Sequence, residues 1–496
     1  MNPLHLGNFY LSNANKEDPA LIYHNQRVTY EEMDLWIRRY MSLLSETGVE
    51  NGDRVALSCF NTPEFIYSYF SIVKSGATVV PINLTLTMEE ITYILKDSQS
   101  QFLVIHEKIL QKLGIEPGHL KALLGLKDVI VLNEKTNEKV NSMPPALPVE
   151  IDPHSQAAIL YTSGTTGKPK GAILSHYNLI ENTISCTDAL KPVGKDVFVC
   201  VLPMFHTFGF TTSVLLPLYT GSSVVIHEMF YPKEIIRSIM EHNISVFCGV
   251  PAMFIVLAQA LKEGKASFPS LRLAVSGGSP LPVEILTLIN HHYKIPLMEG
   301  YGLTEASPVV CFNPVLGEKK PGSVGLPLLN VEVKIQGEDG NLLPQGDVGE
   351  ILVKGPNVML GYLNMLDETN KTIINDWLYT GDLGYLDHEG YLFIVDRKKD
   401  MIITRGLNVY PREIEEVLYQ HPAILEAAVI GYPDETRGEI VKAFIVLKNG
   451  ETISNKEIQS FLKTKLASYK LPRIIEFLPE LPKNATGKVS KKDLKQ

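Results

Sequence analysis

Short apolar runs alternate with amphipathic stretches through the first three-quarters of the chain. The runs are rich in β-branched residues and have the length of buried strands. They are DRVALSCF (53–60), QFLVIHE (101–107), DVIVLN (128–133), SVVIHE (223–228), SVFCGV (245–250) and LRLAVSGG (271–278). Between them, a stretch such as TYEEMDLWIRRYMSLLSETG (29–48) has helical spacing, and Thr29 suits its N-cap. The alternation predicts an α/β fold in which helices cover parallel sheets.

The pattern changes near Ser323, where polar and apolar residues begin to alternate. VEVKIQ (331–336), GEILVKG (349–355) and GYLFIVDR (390–397) have the period of half-exposed strands, and Gly, Asp and Asn turns join them. This texture predicts an antiparallel or barrel-like subdomain. After DRKKD (396–400) the pattern becomes that of a compact α+β segment with a Lys-rich end.

Length, charge and cysteine usage limit the classes of function. A chain of 496 residues is too long for one hydrophobic core, so two or more domains are expected. The net charge of −9 lacks the basic excess that nucleic-acid binders use against phosphates, and no nucleic-acid partner is predicted. The five cysteines are scattered without a CxxC pair, which favours buried thiols over a disulfide framework or a zinc site.

Hydropathy predicts neither a leader nor a membrane span. The N-terminus has no basic segment followed by an apolar run, so no signal peptide is expected. Residues 197–226 carry no Asp, Glu, Lys or Arg, but Pro203, Gly209, Pro217 and Gly221 interrupt them. A spanning helix needs about 20 mostly apolar residues without such interruptions. We therefore expect interior strand and helix there, and a soluble, cytoplasmic protein.

A loop suited to phosphate lies between a predicted strand, AAILYTS (157–163), and a helix that starts near His176. Its sequence, TSGTTGKPKG (162–171), combines glycine backbone, hydroxyl groups and two lysines, all of which can bind phosphate oxygens. It is not a Walker A loop, because its glycines are too close together and Pro169 stands where that motif has Ser or Thr. A P-loop kinase or GTPase is therefore excluded.

The loop, extended to YTSGTTGKPKG (161–171), resembles the signature of the adenylate-forming superfamily of acyl-CoA synthetases, adenylation domains and luciferases. Further motifs resemble those of the superfamily and stand in its order. They are SGGSP (276–280), YGLTEASP (301–308), TGD (380–382), DRKKDMIITRGLNVYPREIE (396–415) and PKNATGKVSKKDL (482–494). The resemblance covers essentially the whole chain and is strongest to bacterial medium- and long-chain fatty acyl-CoA synthetases.

The resemblance implies a fold of two parts. Residues 1–396 are expected to form a large N-terminal domain of two doubly wound sheet subdomains and a distorted β-barrel, which binds AMP and the acyl group. Residues 397–496 are expected to form a small mobile α+β lid that carries the catalytic lysine.

The resemblance also assigns residues to the nucleotide, Mg²⁺ and coenzyme A. Thr304 is implied to bond the α-phosphate, Glu305 to hold Mg²⁺, and Asp382 and Arg397 to contact the ribose. Lys488 is the implied catalytic lysine. The other residues that it places around ATP are Thr162, Ser163, Gly164, Thr165, Thr166, Gly167 and Lys168 of the loop, Gly278, Ser279 and Pro280, and Glu299, Gly300, Tyr301 and Gly302.

The lid is expected to turn between two half-reactions. Lys399 resembles the hinge residue, and the loop around Gly406 the lining of the pantetheine tunnel. Arg405 departs from the family pattern, which usually has Gly or Ser there, so the approach of the thiol to this loop is an open question. Acetylation of Lys488, which would remove the charge that it supplies, is a further hypothesis.

The acid-binding segment PMFHTFGF (203–210) favours an apolar carboxylic acid. It carries His206, which resembles the gate of acyl-CoA synthetases, where amino-acid-activating domains have an Asp. The expected walls, which include GVPAMF (249–254), contain no Lys or Arg to pair with the second carboxylate of malonate. A fatty acid is the predicted substrate, with ATP, Mg²⁺ and coenzyme A.

Three alternatives stay open. An acyl-AMP ligase would load a carrier protein in place of coenzyme A, a non-catalytic relative would only bind nucleotide or acyl groups, and a luciferase-like oxidation would use the same motifs. Transient contact with a membrane surface and a homodimer are compatible with each of them.

Overall fold

The computed structural model describes residues 4–162, 169–264, 267–404, 407–434, 438–484 and 487–495. The strands of the described residues are β1 (Pro19–Tyr23), β2 (Gln26–Thr29), β3 (Arg54–Ser58), β4 (Thr78–Pro81), β5 (Phe102–His106), β6 (Asp128–Leu132), β7 (Gln156–Thr162), β8 (Lys170–Ser175), β9 (Val197–Cys200), β10 (Ser223–Ile226), β11 (Val246–Gly249), β12 (Leu273–Ser276), β13 (Leu297–Gly302), β14 (Val309–Phe312), β15 (Leu326–Pro327), β16 (Glu332–Gln336), β17 (Gly349–Lys354), β18 (Gly361–Tyr362), β19 (Ile373–Ile374), β20 (Trp377–Leu386), β21 (Leu392–Arg397), β22 (Ile402–Thr404), β23 (Leu407–Val409), β24 (Ile424–Asp434), β25 (Gly438–Leu447) and β26 (Ile474–Phe477).

The helices of the same residues are α1 (Tyr30–Glu46), α2 (Pro63–Lys74), α3 (Met88–Asp97), α4 (Glu107–Leu113), α5 (Pro117–Leu124), α6 (Glu134–Ser142), α7 (His176–Leu190), α8 (Thr207–Phe210), α9 (Leu216–Tyr219), α10 (Pro232–Glu241), α11 (Pro251–Lys262), α12 (Val283–Thr287), α13 (Leu366–Thr372), α14 (Pro411–Tyr419), α15 (Asn455–Lys463) and α16 (Lys491–Leu494). Turns of π-helix follow α8 (Thr211–Leu215) and α12 (Leu288–His292). Turns of 3-10 helix lie at Phe9–Leu11, Thr304–Ala306 and Ser468–Lys470.

Two largely parallel sheets form the first part of the chain. One has the order β15-β14-β13-β12-β11-β9-β10-β1-β2 and is parallel from β13 to β1; the other has the order β18-β8-β7-β4-β3-β5-β6 and is parallel from β7 to β6. Helices α2 and α7 lie in the core that the two sheets share, and α10 and α11 cover the far face of the first sheet. Helices α4 and α5 cover the far face of the second. The doubly wound α/β prediction is confirmed.

The predicted elements agree closely with those observed. Thr29 caps α1 in a capping box, since its hydroxyl accepts the Glu32 N–H and the Glu32 carboxylate accepts the Thr29 N–H. The stretch 197–226 forms β9, α8, α9 and β10, as expected for interior strand and helix. Within the described residues, no helix is long and apolar enough to cross a membrane. All five cysteines are buried and free.

Strand β8 departs from the prediction. The sequence suggested a loop running directly into the helix near His176, but Lys170–Ser175 pairs antiparallel with β7 before α7 begins. The hairpin forms because Ala172 and Leu174 are buried on one face, a short alternation that the glycine-rich loop beside it obscures.

The last third contains an antiparallel subdomain and a smaller C-terminal domain. Strands β16, β17, β20, β19 and β21 pair antiparallel throughout, as the alternating pattern predicts. The C-terminal sheet has the order β23-β22-β25-β24, with β26 parallel to β25, and its buried side chains form a core with α14 and α15. The α+β prediction is confirmed for this segment.

Candidate active site

The phosphate loop connects β7 to β8. Thr162 is the last residue of β7 and pairs with Lys170, the first residue of β8, but Ser163 to Lys168 lie outside the described residues. Lys170 is the second lysine of the motif. Its Nζ lies 2.6 Å from the Glu368 carboxylate and 5.2 Å from the centre of the Tyr362 ring. It therefore binds α13 and β18.

The predicted adenine-side residues lie on adjacent strands. Gly278, Ser279 and Pro280 directly follow β12, and β13 carries Glu299 to Gly302. Because β12 and β13 are parallel and in register at Ser276 and Glu299, the two segments meet at the carboxyl end of the sheet. That edge is where open α/β sheets bind ligands.

Glu299 is the unusual acid of this edge. It is buried, and its Oε1 accepts the Leu281 N–H at 3.1 Å. Its Oε2 has no hydrogen-bond partner among the described residues. Burial raises the pKa of Glu299 to about 7, although Arg412 opposes the rise. The orphan oxygen suits a donor such as an exocyclic amino group.

Thr304 and Glu305 lie in the 3-10 turn after β13. The hydroxyls of Thr304 and Thr207 are 3.3 Å apart. Glu305 is fixed by β18 and the residues before it: the Tyr362 hydroxyl donates to its Oε1 at 2.8 Å, and the Met359 N–H donates to its backbone oxygen at 2.9 Å. Burial and the Glu305 carboxylate raise the pKa of Tyr362, so the phenol stays a donor.

Thr207 and Tyr362 are contacts that the sequence did not single out. Tyr362 is 57 positions from its partner Glu305, and no local pattern marks it. Thr207 stands directly after the predicted gate His206, which is the one signal that points to it.

Asp382 is buried between two polar partners. It pairs across the antiparallel ladder with Arg397, whose Nε lies 3.2 Å from Oδ1, and the Tyr301 hydroxyl donates to Oδ2 at 2.6 Å. Asp382 raises the pKa of Arg397, so the pair holds both charges. The predicted hinge Lys399 is exposed, and the predicted tunnel residue Gly406 lies outside the described residues.

Lys488 reaches from the C-terminal domain to the end of β12. A methyl group added to Gly278 would lie 2.8 Å from Lys488 Cε, so the lysine side chain lies directly against this residue, whose φ of +84° favours glycine. The turn that presents Lys488 is closed by the Asn484 N–H, which donates to the Lys488 oxygen at 2.8 Å. Lys488 and His206 line the same small cavity of about 10 Å³, with Leu202, Pro203, Phe208, Gly209 and Val250.

Lys488 and His206 differ in their charge at pH 7. Burial, and next the Arg397 charge, lower the pKa of Lys488 to about 8, while Asp382 opposes the shift. Lys488 is therefore still mainly protonated at pH 7. Burial and the Lys488 charge lower the pKa of His206 to about 3, so its ring is neutral. His206 Nδ1 accepts the Phe208 N–H at 3.3 Å, which leaves Nε2 to carry the ring proton.

Glu305 is the candidate metal ligand. No group of three His, Cys, Asp or Glu side chains suited to a metal ion occurs in the described part of the chain. Mg²⁺ in nucleotide sites is commonly held by one or two carboxylates together with phosphates and waters. The partly exposed Glu305, with Oε1 bonded by Tyr362 and Oε2 left over, fits that arrangement.

The arrangement thus brings two cations, one neutral imidazole and three carboxyl groups to the edge between β12, β13 and β20, namely Lys488, Arg397, His206, Glu299, Glu305 and Asp382. Because burial lowers the pKa of Lys488, an anion placed beside it would stabilise its protonated form. The hydroxyls of Thr304 and Thr207 add donors for an oxyanion. This set can bind a polyphosphate and an acid and stabilise negative charge that develops between them.

Comparisons with known proteins cover nearly the whole chain. The family model described as AMP-binding enzyme matches residues 11–363, and the model described as AMP-binding enzyme C-terminal domain matches residues 413–488. The chain is 35% identical to a long-chain-fatty-acid–CoA ligase of Bacillus subtilis (strain 168), covering 96% of this chain and 91% of that protein. It is 34% identical to a feruloyl-CoA synthase of Amycolatopsis sp, covering 96% and 95%.

Crystal structures of MatB from Rhodopseudomonas palustris are similar in fold. At 32% identity, with 100% of this chain and 98% of that chain covered, the TM-score is 0.92 for the ATP-bound structure and 0.82 for the apo structure. The chain is therefore more similar to the ATP-bound arrangement.

The lowered pKa of Lys488 can be measured by competitive labelling with acetic anhydride, followed by mass spectrometry of the Lys488 peptide across pH. We expect an apparent pKa of about 8. Asp382→Asn should lower it further, because the Asp382 carboxylate raises the pKa of Lys488. An ordinary lysine value, about 10.4 in the wild-type protein, would contradict the burial of this group.

Proposed function

Because the chain belongs to the AMP-binding enzyme family and to its acid–CoA ligases, we propose that it activates a fatty acid as an acyl-adenylate and transfers the acyl group to coenzyme A. The substrates of this family are a carboxylic acid, ATP and coenzyme A. The observation that carries the proposal is the position of Lys488, which shares a cavity with the acid-site residue His206 at the end of β12.

In the first half-reaction a carboxylate oxygen of the acid bonds to the α-phosphorus, and the bond from that phosphorus to the pyrophosphate oxygen breaks. Lys488 neutralises the charge shared by the incoming carboxylate and the leaving pyrophosphate, and Thr304 donates to an α-phosphate oxygen. These contacts act where charge is greatest in the transition state. Asp382 accepts the ribose hydroxyls, and the orphan Oε2 of Glu299 accepts the adenine amino group.

Glu305 would hold Mg²⁺ through its free carboxylate oxygen. When bound, the ion would supply charge neutralisation for the phosphate oxygens. Glu305 is prepared for this by its two bonds to the segment 359–362, which fix both its backbone and its carboxylate.

In the second half-reaction the C-terminal domain, which we place at residues 397–496, turns about Lys399 and withdraws Lys488. The thiol of coenzyme A attacks the acyl carbonyl, the bond from that carbon to the AMP oxygen breaks, and AMP leaves. The exposure of Lys399 and the separate core of the C-terminal domain support rotation as a unit. The greater similarity to the ATP-bound than to the apo MatB structure supports assigning the described conformation to the first half-reaction.

A fatty acid is favoured by the chemistry of the cavity walls. Leu202, Pro203, Phe208 and Val250 surround His206, and Lys488 is the only cation among the described lining residues. A second carboxylate would therefore lack a partner of its own, which disfavours dicarboxylic acids. The Phe208 ring contacts Gly277, where an added methyl group would lie 2.9 Å from ring atom Cζ. The cavity beside His206 holds about 10 Å³, so an acyl chain needs more room than the described conformation provides.

Replacing Lys488 separates the two half-reactions. In Lys488→Ala, acid-dependent exchange of pyrophosphate into ATP should fall by about 10²- to 10³-fold, the usual loss for one transition-state donor. Thioester formation from supplied acyl-AMP and coenzyme A should be retained. Lys492→Ala, which removes an exposed lysine of the same segment, is the control and should behave as wild type. Equal loss of both half-reactions in Lys488→Ala would contradict the assigned role.

The acid class is tested by kcat/KM across straight-chain acids from acetate to oleate, with ferulate, benzoate and malonate. Each buried CH₂ contributes about 0.8 kcal/mol, so kcat/KM should rise about fourfold per CH₂ until the tunnel is full. The feruloyl-CoA synthase relative makes ferulate the sharpest competitor. A preference for ferulate or malonate over every fatty acid would overturn the fatty-acid proposal.

A further inference from the structure

Strand β18 lies between β8, which follows the phosphate loop, and the turn that carries Glu305. Its residues Gly361 and Tyr362 pair antiparallel with Ile173 and Ala172 of β8, the strand that leaves the phosphate loop. The Leu363 N–H extends the pairing with a bond of 2.8 Å to the Gly171 oxygen. Backbone hydrogen bonds therefore fix the position of Tyr362 relative to β8.

The other side of this segment is bonded to Glu305. The Tyr362 hydroxyl donates to Glu305 Oε1 at 2.8 Å, and the Met359 N–H donates to the Glu305 backbone oxygen at 2.9 Å. A hydrogen bond to a carboxylate is stronger than a neutral one and fixes the plane of the carboxylate. With Oε1 bonded by the phenol, Oε2 is the oxygen left for a ligand.

Resting on the proposed function, we propose that Tyr362 is a positioning residue, which orients the Glu305 carboxylate toward the Mg²⁺ of bound ATP and ties it to the phosphate loop. Outer partners that orient a metal-binding carboxylate typically change metal affinity when removed. Tyr362 would therefore act on metal binding through Glu305 without touching the ion.

Tyr362 is itself held at its backbone and at its ring. Its backbone N–H donates to Thr369 Oγ1 at 2.9 Å. Lys170 Nζ lies over its ring at 5.2 Å and is anchored by the Glu368 carboxylate at 2.6 Å. Lys170, the second lysine of the phosphate-loop motif, therefore packs on the Tyr362 ring, and the Tyr362 hydroxyl in turn bonds Glu305. A pre-formed rotamer of this kind is what a positioning residue requires.

The test is binding of ATP by isothermal titration calorimetry, without acid or coenzyme A, across MgCl₂ concentrations and in EDTA. In Tyr362→Phe the Mg²⁺ concentration that gives half of the metal-dependent tightening of ATP should rise by roughly 10- to 100-fold. Binding of metal-free ATP should be unchanged, because the hydroxyl is not placed on the nucleotide. A merely structural role for Tyr362 would weaken ATP binding equally with and without metal.

Tyr23→Phe is the matched control, since the Tyr23 hydroxyl donates to the Glu228 carboxylate at 2.7 Å and Tyr23 lies on β1 of the other large sheet. It should behave as wild type. Glu305→Gln distinguishes the metal-binding role of Glu305 from the positioning role of Tyr362. If it abolishes the metal effect while Tyr362→Phe matches wild type, the positioning role is overturned and the metal role of Glu305 stands. If Glu305→Gln keeps the full metal effect, the proposed role of Glu305 fails.

Folding of Tyr362→Phe is checked first by its thermal unfolding midpoint. Should that variant not fold, Thr369→Ala is titrated in its place, because it loosens the Tyr362 backbone and keeps the hydroxyl. A rise in the required Mg²⁺ concentration then supports the positioning role, and no rise overturns it.

Discussion

A lysine ammonium held partly out of water is the interaction on which the rest of this site depends. Lys488 lies against Gly278 and beside His206, where burial lowers its pKa to about 8. Under the proposed function, the negative charge that develops on the substrates in the transition state would stabilise this ammonium more than the free site does. Gly278 lies directly against this lysine, His206 beside it is neutral, and the domain that carries it has a core of its own.

Asp382 and Glu305 are each held in place by a tyrosine hydroxyl. The Tyr301 hydroxyl donates to Asp382 at 2.6 Å, and the Tyr362 hydroxyl donates to Glu305 at 2.8 Å. Each tyrosine fixes one oxygen of its partner, and each stands on a strand of a different sheet. The other oxygen of Asp382 pairs with Arg397, whereas Oε2 of Glu305 is left for a ligand. Preorganised acceptors of this kind bind hydroxyls or a metal without paying again for orientation.

Much of the fold could be predicted because its signals are local. Buried strands such as β5 and β12 read as β-branched runs, and the Thr29 capping box marks the start of α1 within four residues. Strand β8 was missed because only two of its side chains alternate inward beside a glycine-rich loop. Its pairing with β7 is set by tertiary packing, which a single sequence does not display.

For the candidate site, the sequence predicted the residues within motifs but not the contacts between distant segments. The motifs placed Lys488, Glu299, Thr304 and Asp382 in one site, and the structure brings these residues to the same edge of the sheets. The contact of Tyr362 with Glu305 and that of Lys170 with Glu368 could not be found, because the partners are 57 and 198 positions apart in the chain. Hydrogen bonds of that range leave no periodic trace in a sequence.

The most direct test of acyl-adenylate chemistry follows the oxygen atoms of the acid. The carboxylate of a fatty acid is labelled on both oxygens with the heavy isotope, and AMP, pyrophosphate and the thioester are analysed by mass spectrometry after reaction with ATP and coenzyme A. Attack of the carboxylate on the α-phosphorus predicts one labelled oxygen in AMP and one in the thioester, with none in pyrophosphate. Label in inorganic phosphate together with ADP, or unlabelled AMP beside a labelled thioester, would contradict the mechanism.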